Sequence, residues 1–223
     1  MLFRSVSQSR YNVKLVSASP YGTSEKIKSN YINVYDTLKD TVIAHWKFEG
    51  QNDILVDAEN GLNGKINGAT WNTKCTKSSL IFDGVDDYVQ VEDNENFNPD
   101  FITLEAKVKI KSHKLTSIVD RWGPWGQYTI GLGDFYGRSV DHLFFSVPYL
   151  GIKSVSSKEP IPLNQWIHIA GVFDGDSIRL FMNGKQVGLM EVNGKIYSQN
   201  ATLTIGRGEF GAYITNPIVD SIS

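Results

Sequence analysis

The stretch from Trp166 to Val187, WIHIAGVFDGDSIRLFMNGKQV, constrains the fold most. It reads as two β-hairpins in succession. Asp174-Gly175-Asp176-Ser177 forms a tight turn between two apolar runs, and Asn183-Gly184 forms a second. Asn-Gly is the strongest short hairpin signal, because both central positions of that turn need φ > 0. Between the turns Ile178, Leu180 and Met182 alternate with Arg179 and Asn183, so this strand has one face for a core.

The same rhythm runs through most of the chain. From Ala44 onward come AHWKFEG, SLIFDG, DYVQV, TLEAKVKI, TSIVDRW, QYTIGLG, HLFFSV, WIHIAGVF, SIRLFM, KQVGLME and ATLTIGRG. Almost every gap holds Gly, Asn, Asp or Pro. No window carries sustained helical periodicity with caps. At 223 residues, with 20 glycines and 12% aromatic residues, the chain suits one large β-sandwich plus a small remainder.

Composition excludes several functions. A net charge of −2 gives no attraction for nucleic acid or an anionic membrane. No segment reaches the roughly 20 apolar residues that span a bilayer. The N-terminus has no apolar h-region, so the expectation is a piece of a longer protein. Cys75 is alone, so it makes no internal disulfide and anchors no zinc cluster.

Residues 1–35 hold Tyr11-Asn12-Val13-Lys14-Leu15, a turn at Ser19-Pro20-Tyr21-Gly22, and a second strand closing on Tyr31-Ile32-Asn33-Val34. This stretch resembles the last hairpin of a PKD-type immunoglobulin-like domain. The resemblance implies domain limits at 1–35, a linker over 36–43 and a main domain over 44–223. The alternative is an extra N-terminal hairpin of the same sandwich.

The main domain carries a further set of motifs in order. They are Ala44-His45-Trp46-Lys47-Phe48-Glu49-Gly50, Asp57-Ala58-Glu59-Asn60-Gly61-Leu62-Asn63-Gly64, Leu80-Ile81-Phe82-Asp83-Gly84-Val85-Asp86-Asp87-Tyr88-Val89, the Trp166–Val187 hairpins, and Leu203-Thr204-Ile205-Gly206. Together they resemble the laminin-G-like (LamG, concanavalin A-like) jelly roll. The fold expected is therefore an all-β, two-sheet antiparallel jelly-roll sandwich, with an N-terminal β-hairpin remnant of an immunoglobulin-like module. Lys107 departs from the family pattern, which has a large aromatic there. Ile218-Val219-Asp220 would begin the closing strand, with a few of its residues missing.

Catalysis finds little support in the residues. Glycoside hydrolysis needs two carboxylates flanking the bond, and no strand carries them at period two. Glu92-Asp93-Asn94-Glu95 reads as a loop, and Asp83, Asp86 and Asp87 crowd a turn around Gly84. His45, His113, His142 and His168 are scattered.

The resemblance implies a structural Ca²⁺ with candidate oxygen ligands Glu49, Asp57, Asn60, Asp83 and Asp220. The alternative for the loop residues is simple Asx turn bonding. Two indoles in one Gly/Pro-bounded loop, Trp122 and Trp125, can stack on sugar rings. Tyr128, Phe135, Tyr136, Arg138, Asp141 and His142 follow and complete a candidate ligand surface. Trp46 and Trp166 lie on strands and are expected in the core. The expected function is a non-catalytic extracellular binding module recognising a glycan, within a larger adhesin or carbohydrate-active enzyme. The alternatives are a protein-binding spacer module of a surface protein and, behind it, a glycoside hydrolase domain.

Overall fold

The computed structural model describes residues 42–72, 78–123, 128–133, 139–147 and 153–208 in full, and the backbone alone of the other strands. The strands are β1 (Leu2–Ser5), β2 (Gln8–Ser19), β3 (Gly22–Tyr35), β4 (Thr41–His45), β5 (Ile54–Leu55), β6 (Gly64–Asn67), β7 (Thr70–Asn72), β8 (Ser79–Ile81), β9 (Tyr88–Val91), β10 (Ile102–Ile110) and β11 (Thr116–Arg121). They continue as β12 (Tyr128–Leu132), β13 (His142–Pro148), β14 (Ile152–Pro160), β15 (Trp166–Phe173), β16 (Ser177–Met182), β17 (Lys185–Glu191), β18 (Leu203–Ile205), β19 (Gly208–Phe210), β20 (Tyr213–Thr215) and β21 (Val219–Ile222).

Two antiparallel sheets face each other. One runs β17-β16-β15-β10-β21-β8-β7, with β1 beside β10 and β4 beside β1; the other runs β14-β13-β12-β11-β18-β9-β6-β5. This is the expected jelly-roll sandwich. The Asn-Gly turn forms as its chemistry requires, with φ of 48° at Asn183 and 76° at Gly184. Ile178 and Leu180 are buried. Trp46 is wholly buried, as expected, and its indole N–H donates to Leu62 O at 2.9 Å.

Alternation in the eight-stranded sheet is carried across strands as well as along them. Ile66, Val89, Ile205, Val119, Ile130, Phe145 and Val155 stand opposite one another in a single register line, and all belong to the core. One step along the strands, every side chain must therefore point to the outer face.

Of the expected linker over 36–43, residues 36–40 lie outside the described residues. β1 pairs with both β4 and β10, and β4 already starts at Thr41. Ser5 stands opposite Thr41, and beyond them Gln8 stands opposite Tyr35 in the separate β2–β3 ladder. β1 and β4 thus belong to the main sheet, and β2 and β3 form a two-stranded sheet of their own. β21 pairs with β8 on one side and β10 on the other. Ile222 faces Val108 and Leu2 faces Glu105, so β21 and β1 lie end to end along the same edge of β10.

Candidate functional site

The outer face of the eight-stranded sheet carries a polar line parallel to the apolar one. Lys65, Gln90, Thr204, Asp120, Thr129, Ser146 and Ser154 stand opposite one another in register across β6, β9, β18, β11, β12, β13 and β14. The Thr129 hydroxyl donates to the Asp120 carboxylate. Thr204 Oγ1 donates to Arg207 O at 2.7 Å, and Gln90 Nε2 donates to Glu92 Oε1 at 3.1 Å. Asp120, Thr129 and Ser146 are buried, whereas Gln90 and Thr204 are half-buried and Lys65 is exposed. The line is therefore closed over β11–β13, where β19 lies against β11, and open over β6, β9 and β18.

One end of this face is set by Arg121. The side chain is wholly buried, and all five of its N–H groups are used. Nε donates to Ala201 O, Nη1 to Phe97 O and Asn98 Oδ1, and Nη2 to Asp93 Oδ1 and Gln199 O, at 2.8–3.1 Å. Asn98 Oδ1 also accepts from Gln199 N at 3.1 Å. The loops around 93–98 and 199–201 are thereby tied to the end of β11.

Trp122 follows directly, is half-buried, and by alternation falls on the same side as Asp120. Tyr128, expected to line a ligand surface, is instead wholly buried, and its hydroxyl donates to Phe97 O at 3.2 Å. Burial pushes its phenol well above the ordinary range. It stands opposite Arg121 and belongs to the inner face.

His142 and Trp122 share the outer face without coming together. Asp120 and Ser146 are both level with Thr129. From that level Trp122 lies two residues one way and His142 four the other, about 20 Å apart at strand rise. His142 Nδ1 is 2.8 Å from Asp141 Oδ1. Trp125, Phe135, Tyr136 and Arg138 lie outside the described residues.

Two of the expected Ca²⁺ ligands, Asp57 and Asn60, make hydrogen bonds within their own loop and to β4. Asp57 is buried, and its oxygens accept from the backbone N–H groups of His45, Glu59, Asn60 and Leu62 at 2.7–3.2 Å. Burial alone would raise its carboxyl, but these four donors outweigh it and hold the group below its usual value. Asn60 turns its amide N–H groups onto Val42 O and Ile43 O. Both residues are occupied in fastening their own loop to β4, the Asx reading of this segment. Asp83 accepts from Val85 N and Asp86 N, and its oxygens lie within 4.8 Å of those of Asp86 and Asp87. Glu49 is exposed, and for Asp220 only the backbone within β21 is described.

The family Laminin_G_3, described as the concanavalin A-like lectin/glucanases superfamily, matches residues 83–221. The chain belongs to this superfamily. The match covers both hairpins, the Arg121 cluster and six of the seven strands of the polar line; it gives no support to a PKD-type part, which would precede it. No curated protein sequence matches the chain.

Solved structures share the superfamily architecture. Domain 4 of AbnA, a GH43 extracellular arabinanase from Geobacillus stearothermophilus, in complex with arabinotriose, aligns with a TM-score of 0.58 at 14% identity, over 80% of this chain and 91% of that one. The binding domain of Paraclostridial Mosquitocidal Protein 1 aligns at 0.59 and 14% identity, over 80% of this chain and 46% of that one. The binding domain of Botulinum Neurotoxin DC, in complex with SialylT, aligns at 0.56 and 15% identity, over 81% of this chain and 46% of that one. The chain thus spans about half the length of the two toxin binding domains. At these identities the likeness establishes the fold.

On this superfamily sandwich, sequence reading missed Gln90, Thr204, Asp120, Thr129 and Ser146 as one surface. Each sits at the polar step of a strand that alternates, as in Val89-Gln90-Val91 or Leu203-Thr204-Ile205. That signal marks the face of each strand. It does not say which strands are neighbours.

Proposed function

We propose that the chain is a non-catalytic carbohydrate-binding module of a larger extracellular protein, with the glycan held on the outer face of the eight-stranded sheet. The polar line from Lys65 to Ser154 carries this reading. Sugar hydroxyls need closely spaced donors and acceptors on a rigid floor, and Lys65, Gln90 and Thr204 supply them on the open part of the line, with Trp122 as an apolar wall beside it. The line holds one carboxylate, Asp120, whereas glycoside hydrolysis employs a pair. The arabinotriose bound to the AbnA domain shows a saccharide on the same architecture and supports the reading.

The test is retention on a panel of immobilised polysaccharides and on a glycan array. Gln90→Ala and Trp122→Ala are each expected to weaken a hit about tenfold, since a lost sugar contact is worth about 1.4 kcal/mol. Trp166→Ala, on the opposite sheet, leaves binding unchanged. Full-strength binding by both face variants would reject the location. A folded protein with no hit at all would reject the function.

A further inference from the structure

Arg207 is positioned by its backbone and by an aromatic ring beneath its guanidinium. β18 closes on the buried Ile205, and Gly206 then turns the chain at φ 85°, donating its N–H to Ile118 O at 2.9 Å. A Cβ at Gly206 would meet the Phe82 ring at 2.5 Å, so a larger residue does not fit. The Thr204 hydroxyl pins the next carbonyl, that of Arg207. The guanidinium carbon then lies 4.8 Å from the centre of the Tyr88 ring.

Among the described residues no carboxylate or carbonyl pairs with that guanidinium, and its Nε is buried with no hydrogen-bond partner. Tyr88 stands opposite Asn67, and beside them Gln90 stands opposite Lys65, an exposed cation. Two of the three acids of the preceding turn are engaged elsewhere, and the third, the exposed Asp86, makes no contact with the guanidinium. Asp83 caps its own turn through Val85 N, and Asp87 is buried with Oδ2 accepting from Asp83 N at 2.7 Å.

A positioned, stacked and unpaired guanidinium is a receptor for a planar anion, because its N–H edge matches both oxygens of a carboxylate. We propose that the open half of the outer face, with Arg207 at its centre and Lys65, Asn67 and Gln90 around it, is a subsite for a carboxylate-bearing sugar, so that the preferred glycan is a uronic-acid polymer. This rests on the glycan reading above and narrows its ligand class.

The experiment compares retention of the full chain on polygalacturonate, on the same polymer after carboxyl reduction, on dextran sulfate and on neutral arabinan. Wild-type protein is expected to bind polygalacturonate at least tenfold more tightly than the reduced polymer, and raising salt from 50 to 500 mM should narrow that gap. Arg207→Ala should abolish the difference between the charged and the reduced polymer, and Arg207→Lys should restore only part of it. Circular dichroism and thermal melts of each variant establish that it is folded. Equal binding to charged and reduced polymers, or an Arg207→Ala protein that keeps the preference, overturns the subsite while leaving the glycan reading intact. Equal Arg207 dependence on dextran sulfate overturns the carboxylate assignment. No retention on any polymer overturns both.

Discussion

Arg121 Nη2 lies 2.8 Å from Asp93 Oδ1, and the guanidinium that makes this contact is wholly buried. Removing it would take one donor each from the Phe97, Gln199 and Ala201 carbonyls, although Phe97 O keeps the Tyr128 hydroxyl. Arg121→Met is expected to cost about 3 kcal/mol, the lower end for breaking a buried pair, because Asp93 keeps access to water. Arg121→Lys is expected to recover little, since one ammonium cannot reach five acceptors. Urea unfolding with unchanged slope checks both.

Two carboxylates in adjoining loops should respond to pH with opposite sign. Asp57 is held below its usual value by four backbone N–H donors acting against burial. A depressed folded value means stability that is present above the unfolded value of about 3.8 and is lost as pH falls through the lower folded one. Asp87 is raised by burial, with the charges of Asp83 and Asp86 adding to it. Its ionisation therefore opposes folding at neutral pH, and that penalty is relieved as pH falls through the folded value. At pH 7 Asp57→Asn should cost about 2–3 kcal/mol, because one amide oxygen replaces two charged acceptors. Asp87→Asn should be no less stable than wild type. Chemical denaturation at pH 7 and pH 4 separates the two; equal losses at pH 7 would contradict the assignment.

What could be read from the sequence depended on range. The Asn183-Gly184 turn and the alternating Ile178 and Leu180 are local, so they were legible. β14 was not. Its run Lys153-Ser154-Val155-Ser156-Ser157 is nearly all polar, and as the end strand of its sheet it gives the core one described residue, Val155. The Arg121 cluster was hidden because its partners lie 23–80 residues away. The polar line was hidden for the same reason, since Lys65, Gln90 and Thr204 become neighbours only through pairing.

The end-to-end placement of β21 and β1 makes the first residues structural. β4 has β1 as its strand partner, and it carries the buried Ile43 and Ala44. Deleting residues 1–5 should lower stability by about 2 kcal/mol, near 4–8 °C for a chain of this size. The informative readout is hydrogen exchange, because loss of the ladder should raise exchange at Val42–Ala44. Unchanged protection there would show that β1 contributes nothing to the sheet.

Two tryptophans that look alike in sequence should behave differently. Trp46 is wholly buried, whereas Trp166, expected in the core, is 39% exposed. The reason is parity: Ile167 and Ile169 take the inward steps of β15, which leaves Trp166 and His168 outside. There Trp166 lies opposite Lys109, and the Lys107 ammonium sits 5.5 Å from its ring, on a strand that carries lysine where the superfamily pattern has an aromatic. An exposed cation–π contact of this kind is worth about 0.5–1 kcal/mol. Trp166→Ala should therefore cost no more than about 1 kcal/mol, while Trp46→Ala should cost about 3–5 kcal/mol through the cavity and the stranded Leu62 carbonyl. Urea melts of the two variants side by side give the comparison. A Trp166→Ala loss as large as that of Trp46→Ala would place the Trp166 indole inside the sandwich.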